Sequence, residues 1–174
     1  MDQDSLQELI ARHSRLIRHV ACAWCRDATD REDVVQEVLV QLWRSAERYD
    51  PRFAETTWVY RIALNVAISF HRRESRHRVR RTTLDDAADR MPEPAASEEG
   101  ERVERLRAAL DRLPAIEKAL VLLHLDGNDH STIADVMGIS VSNVGTRLAR
   151  IRNKLRDRLS GRGGDPKGTE HGSR

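Results

Sequence analysis

One spacing dominates this chain. Apolar residues return every three or four positions: Leu6, Leu9, Ile10, Leu16, Ile17, Val20 and Trp24; then Val34, Val35, Val38, Leu39, Leu42 and Trp43; then Trp58, Val59, Ile62, Ala63, Val66 and Phe70. A half-buried strand alternates in twos, so this spacing demands helices, each with one apolar stripe. The first should run from about Ser5 to Cys25. The second should begin near Asp30, placed to cap it, with Asp33 three residues on. The tract SAERYDPRFAETT then breaks the period and carries an Asp50-Pro51 turn signal, so Tyr49 to Thr57 reads as a loop.

The stretch from Thr82 to Gly100, TTLDDAADRMPEPAASEEG, has two prolines, many acids and few large apolar residues, which is the composition of a linker. Helicity resumes at Glu101, with Val103, Leu106, Leu110 and Leu113 expected to face inward. Pro114 opens another helix, Ala115 to Leu125. After the polar turn DGNDHS come two helices around Gly138, the second from about Val141 to Leu159. A hydrophobic content of 39% in 174 residues is lean for one large core, and two small bundles would need less core each. The expected architecture is therefore all-α. A first helical domain over 1–81 and a helix-turn-helix domain over 101–160 are joined by a flexible acidic linker over 82–100. A disordered tail follows over 161–174.

The net charge of +2 hides strong segregation. His71 to Arg81 holds six arginines and one glutamate, Asp85 to Glu101 seven acids and one arginine, and Arg147 to Arg158 six bases and one acid. Basic, acidic, basic is the pattern of two nucleic-acid-facing modules around an acidic connector.

The segment STIADVMGISVSNVGTRLARIRNKL meets the steric demands of a helix-turn-helix. Ala134 is small where two helices cross. Gly138 can take the positive φ of a tight turn. Ser140 can cap the next helix, and Val144 seats it. Val144, Leu148, Ile151 and Leu155 then point inward. Ser142, Asn143, Thr146, Arg147, Arg150 and Lys154 are left outward, where such a helix reads base edges and holds phosphates.

No apolar run approaches the roughly 20 residues of a membrane span, and the acidic N-terminus lacks the plan of a signal peptide. Membrane insertion is not expected. Two cysteines do not make a disulfide framework, so a reducing cytoplasm is expected. His19, Cys22 and Cys25 share a helix face, yet no fourth metal ligand is signalled nearby. They read as packing residues, with no metal and no cofactor. No glycine-rich phosphate loop or catalytic constellation is visible, so the chain is not expected to be an enzyme.

At this point two segments resemble a known family. DREDVVQEVLVQLWRS, with Glu32, Asp33, Gln36, Glu37, Trp43 and Arg44, resembles the most recognisable segment of extracytoplasmic-function sigma factors of the sigma-70 family. TWVYRIALNVAISFHRR resembles that family's following helix through Trp58, Arg61, Ile62, Ala63, Asn65, Ala67, Arg72 and Arg73. The C-terminal LDRLPAIEKALVLLHLDG and the helix-turn-helix after it are similar to the second sigma domain. The resemblance implies an alternative sigma factor that binds core RNA polymerase and selects promoters. Asp33, Gln36, Glu37, Leu39 and Trp43 would press on the polymerase clamp helices, and the second domain would meet the flap. Melted DNA of the −10 element would meet an aromatic pocket from Phe53, Trp58 and Tyr60, cations from Arg61, Arg72, Arg73 and Arg76, and the base-reading amide of Asn65. The C-terminal recognition helix would read duplex −35 DNA, and an anti-sigma factor is implied as a regulator. The chain departs from the family's usual pattern at Ser69, often Asp, and at Gly145, often Lys or Arg. His130-Ser131-Thr132 also stands where Tyr-x-Glu is common. The rival reading, an autonomous helix-turn-helix regulator with an N-terminal sensor or dimerisation domain, explains the C-terminal half equally well. It leaves the two N-terminal segments unexplained.

Overall fold

The computed structural model describes residues 2–82 and 98–159. The acidic stretch 83–97, the tail 161–174 and the side chain of Arg76 lie outside the described residues. Seven α-helices and one short 3-10 turn make up the described chain, with no strand among the described residues.

Helix α1 spans Gln3–Trp24, capped by Asp2, whose carboxylate accepts from the Ser5 amide at 2.8 Å. Helix α2 spans Ala28–Ser45 and starts earlier than expected, with Asp27 at the N-cap and Asp30 inside the first turn. A carboxylate in either place faces the unpaired N–H groups of that turn, so the charge pattern alone does not choose between them. A 3-10 turn at Ala46–Arg48 follows. Helix α3, Glu55–Thr82, takes the last three residues of the expected loop, and the Ala54 carbonyl accepts the Trp58 amide at 3.2 Å. These three helices close on Leu6, Leu9, Ile17 and Val20 of α1, Val34, Val38 and Leu42 of α2, and Val59, Ala63, Leu64 and Ala67 of α3, all buried. Burial of each large aliphatic side chain contributes about 1.5–3 kcal/mol.

The second bundle comprises α4 (Glu98–Asp111), α5 (Ala115–Leu125), α6 (His130–Met137) and α7 (Val141–Leu159). Its core is Leu110, Leu113, Leu120, Leu123, Ile133, Val144, Leu148 and Ile151. The expectation that Val103 and Leu106 face inward is corrected: they are 56% and 39% exposed. Only the last turn of α4 and Leu113 beyond it are covered. The turn between α6 and α7 is built as the sequence requires. Gly138 has φ +65°, and the Ile139 amide reaches back to the Ala134 carbonyl at 3.1 Å, the closing bond of a Schellman turn. Ser140 Oγ accepts the Asn143 amide at 3.3 Å and caps α7.

The two bundles touch. Helix α3 packs on α5 and α6. Lys118, 4% exposed, bonds Asp111 at 2.7 Å and lies 4.9 Å from the centre of the Trp24 ring. Asp111 also takes Arg26 at 2.8 Å, so one carboxylate on α4 holds a cation from each bundle.

Candidate nucleic-acid interface

Helices α2 and α3 enclose an open groove of about 610 Å³, lined by Glu37, Gln41, Ser45, Ile62, Asn65, Val66, Ser69, Arg72 and Arg73. Its floor is the apolar Ile62–Val66 edge of α3. Its rim carries the Asn65 amide and two arginines on one side and Glu37 on the other. Gln41 Nε2 donates to Glu37 Oε1 at 2.7 Å, which fixes that carboxylate within the groove. Apolar Ile62 and Val66, a two-way hydrogen-bonding amide and flanking cations suit an unstacked base with its phosphates. Three of the expected −10 residues, Asn65, Arg72 and Arg73, thus share one groove.

Phe53, Trp58 and Arg61 gather near the start of α3. The Arg61 guanidinium stands 5.3 Å from the Phe53 ring centre, and Trp58 packs on Tyr49 at 5.1 Å between centroids. Tyr60 does not join them. One residue step rotates a helical side chain by about 100°, and Tyr60 is 8% exposed on the face of α3 that meets the second bundle. Its hydroxyl donates to Asp126 Oδ2 at 3.1 Å. Burial foremost, and the neighbouring Asp126 charge, push the Tyr60 hydroxyl above its ordinary pKa against an opposing hydrogen bond with Asn128.

The outer stripe of α2 is exposed at Asp33, Gln36, Val40 and Trp43. The spacing places Trp43 in the apolar stripe as well as in the expected polymerase face; at 67% exposure it stands outside the core. Leu39 is half-buried against the core, and Glu37 turns toward the groove. Val40 was missed. It lies four residues after Gln36 and three before Trp43, so its helical position was the available signal.

On α7 the expected residues form one outward surface. Arg147 Nε donates to Asn143 Oδ1 at 3.2 Å, Thr146 Oγ1 to the Ser142 carbonyl at 3.0 Å, and Ser142 Oγ lies 3.2 Å from Ser140 Oγ. Arg150 is exposed. Lys154 leans sideways to Glu117 of α5 at 2.7 Å and is less available than the spacing implied.

The family models for Sigma-70 region 2 and Sigma-70 region 4 match residues 9–77 and 103–155. The RNA polymerase sigma factor CnrH of Cupriavidus metallidurans is 30% identical over 169 residues, 88% of this chain and 86% of that one. The chain belongs to the extracytoplasmic-function branch of the sigma-70 family. The sigma factor SigE of Mycolicibacterium smegmatis is 32% identical over 164 residues, 90% of this chain, and the chain spans 62% of the length of that relative. The solved structure of CnrH in complex with the cytosolic domain of CnrY superposes with a TM-score of 0.65 at 27% identity, covering 92% of this chain and 90% of that one.

The region 2 match occupies the segment that an autonomous regulator would devote to sensing or dimerisation. In this sigma factor the departures from the family pattern acquire places. Ser69 lines the groove beside Arg72 and Arg73. Gly145 faces the His130 ring, and both belong to the helix-turn-helix. Cys25 sits in the core, where burial foremost, and Asp30, push its thiol up to about 11. Such a thiol is scarcely ionised at neutral pH and makes a poor metal ligand or nucleophile. His19 bonds Asp126 at 2.8 Å instead of converging with the cysteines. Asp126 and Asp135 were missed as contact residues. Their partners are 66 and 74 residues away in sequence, a separation that leaves no local pattern.

Proposed function

We propose that this sigma factor binds core RNA polymerase, carries it to specific promoters and helps to melt the −10 element. The observation that carries the reading is the pairing of two surfaces of opposite chemistry on one small bundle. The exposed Asp33, Gln36, Val40 and Trp43 stripe of α2 lies beside a groove with Asn65, Arg72 and Arg73. The stripe is a docking face for the polymerase clamp helices. The groove, extended by Phe53, Trp58 and Arg61, holds the melted strand. Residues 1–81 carry these two tasks. Residues 101–160 read duplex −35 DNA through Ser142, Asn143, Thr146, Arg147, Arg150 and Lys154 and meet the flap. The polymerase performs the chemistry, and the chain acts as a non-catalytic specificity subunit in the cytoplasm. Among the described residues no helix is long and apolar enough to cross a membrane. An anti-sigma factor would control it, a reading supported by the relative CnrH having been solved with the cytosolic domain of CnrY.

Transcription from genomic DNA by core polymerase with and without the chain tests the reading. Transcripts with new, shared 5′ ends are expected only when the chain is present. A pattern identical to that of core alone would refute it. Asp33→Arg with Trp43→Ala should keep the fold, because both side chains are exposed, and should weaken binding to core polymerase. Unchanged affinity of the folded variant would remove the docking role.

A further inference from the structure

Steps of about 100° per residue put Ser142, Thr146 and Arg150 on the outward side of α7, opposite the buried Val144, Leu148 and Ile151. Asn143, Arg147 and Lys154 form one edge of that side. Val141, Gly145 and Ala149 form the other, and a cation returns on it only at Arg152, about two turns beyond Gly145. An α-helix is about 10–12 Å across and the major groove about 12 Å wide, so a helix lying in the groove has a phosphate backbone against each edge. Arg147, its Nε bonded to Asn143 Oδ1, stands ready for one backbone. On the other edge the first turns of α7 supply no cation of their own.

A side chain from another helix covers that edge. His130 opens α6, and its ring lies over Gly145: a Cβ at the glycine would meet ring Cε1 and Nδ1 at 3.7 and 3.8 Å. A side chain longer than alanine would grow toward the imidazole, so the glycine leaves the ring its seat. His124, in the last turn of α5, backs the ring at 6.2 Å between centroids. His130 is exposed, and among the described residues no hydrogen bond or ion pair takes its ring nitrogens. The neighbouring Asp129 carboxylate is turned to its own helix, where it accepts from the Thr132 amide at 2.7 Å and the Ser131 hydroxyl at 2.9 Å. An imidazole keeps at least one N–H donor whether neutral or protonated. We propose that His130 is the phosphate contact on this edge of α7, supplied from α6 where α7 itself has only Gly145. Two helices then hold the two backbones that flank the bases facing Ser142, Thr146 and Arg150. The inference rests on the reading of α7 as the reader of duplex −35 DNA. A phosphate contact carries no sequence information; it fixes the register of the helix in the groove.

The test uses the full chain assembled with core polymerase. Fluorescence anisotropy reads its affinity for two duplexes, a promoter mapped from its transcripts and the same promoter with the −35 bases changed. His130→Ala should keep the fold, because the side chain is exposed. It should weaken binding by about tenfold, as expected for one hydrogen bond to a charged group, and by the same factor on both duplexes. Gly145→Arg added to His130→Ala should restore most of the lost affinity, because a guanidinium can then reach the same phosphate through the vacated space. In the wild-type background the same arginine meets the imidazole and should gain less. Unchanged affinity of His130→Ala would overturn the proposal. So would a loss that Gly145→Arg does not recover, which would assign the loss to the seating of α6 on α7. A loss confined to the native −35 sequence would also overturn it, by making His130 a base reader. Arg150→Ala separates these failures from failure of the underlying reading. If Arg150→Ala weakens binding and His130→Ala does not, α7 reads the duplex and only the proposed contact is wrong. If neither weakens binding, the reading of α7 has failed and the contact falls with it.

Discussion

Gly145→Ala should stabilise this protein, and the structure gives the size of the effect. Gly145 lies within α7, well past the Ser140 cap. Glycine in a helix interior costs about 1 kcal/mol relative to alanine, chiefly through unfolded-state entropy. The question is whether a methyl group fits. A Cβ there would meet the Cε1 and Nδ1 atoms of His130 at 3.7 and 3.8 Å, ordinary van der Waals contact. Each such atom pair gains about 0.1–0.2 kcal/mol, so packing adds a few tenths and sets no penalty. The expected gain is about 1 kcal/mol. If the second bundle melts alone, this raises Tm by about 4–8 °C; if both bundles melt as one unit, by about 2–4 °C. Scanning calorimetry of Gly145→Ala reads the shift. An unchanged or lowered Tm would refute the reasoning, since it would mean that α7 cannot accept a Cβ at a position where one fits. A raised Tm with weaker duplex DNA binding would assign the glycine to close approach of DNA to the α7 backbone.

Leu120→Ala, at a fully buried site, should cost about 2–5 kcal/mol in urea-unfolding free energy. Val103→Glu and Leu106→Glu should each stay within about 0.5 kcal/mol of wild type in the same assay, because both side chains are exposed; a large loss would restore them to the core. Burial pushes the Asp111 carboxyl up, but the hydrogen bonds and charges of Lys118 and Arg26 outweigh it, so the folded-state pKa lies below the ordinary value. Its stabilisation is therefore fully present above the unfolded pKa near ~3.9 and is lost as pH falls through the lower folded value. Urea midpoints measured downward from about pH 5 should fall, and Asp111→Asn should flatten part of that fall; an identical slope in the variant would exclude Asp111 as a contributor.

Local rules made the helices and the helix-turn-helix legible. The step of three and four along Val144, Leu148 and Ile151 is an intrahelical property, and all three are buried. Gly138 was legible because the turn needs a positive φ that other residues adopt with strain, and it has one. The outward residues of α7 and the groove residues Asn65, Arg72 and Arg73 followed from the same periodicity and from the segments that resemble sigma factors. The start of α2 escaped this reasoning because Asp27 and Asp30 both suit the first turn of a helix.

Periodicity says that a helix has an apolar stripe, but not how much of the stripe another helix covers. Val103 and Leu106 continue the spacing of Leu110 and Leu113, yet the bundle covers only the last two. Trp43 lies on an apolar pattern and points to solvent. The contacts of Tyr60 and Arg61 were also beyond local reading. Their position on α3 placed them near the groove between α2 and α3, but their partners, Asp126 and Asp135, come from the other bundle. Sequence by itself determined the helices, the turn and the order of the charged surfaces, because those depend on neighbours within a few residues. Tertiary structure decided which apolar residues remain bare and which polar residues face the other bundle, because those depend on where a distant helix comes to rest.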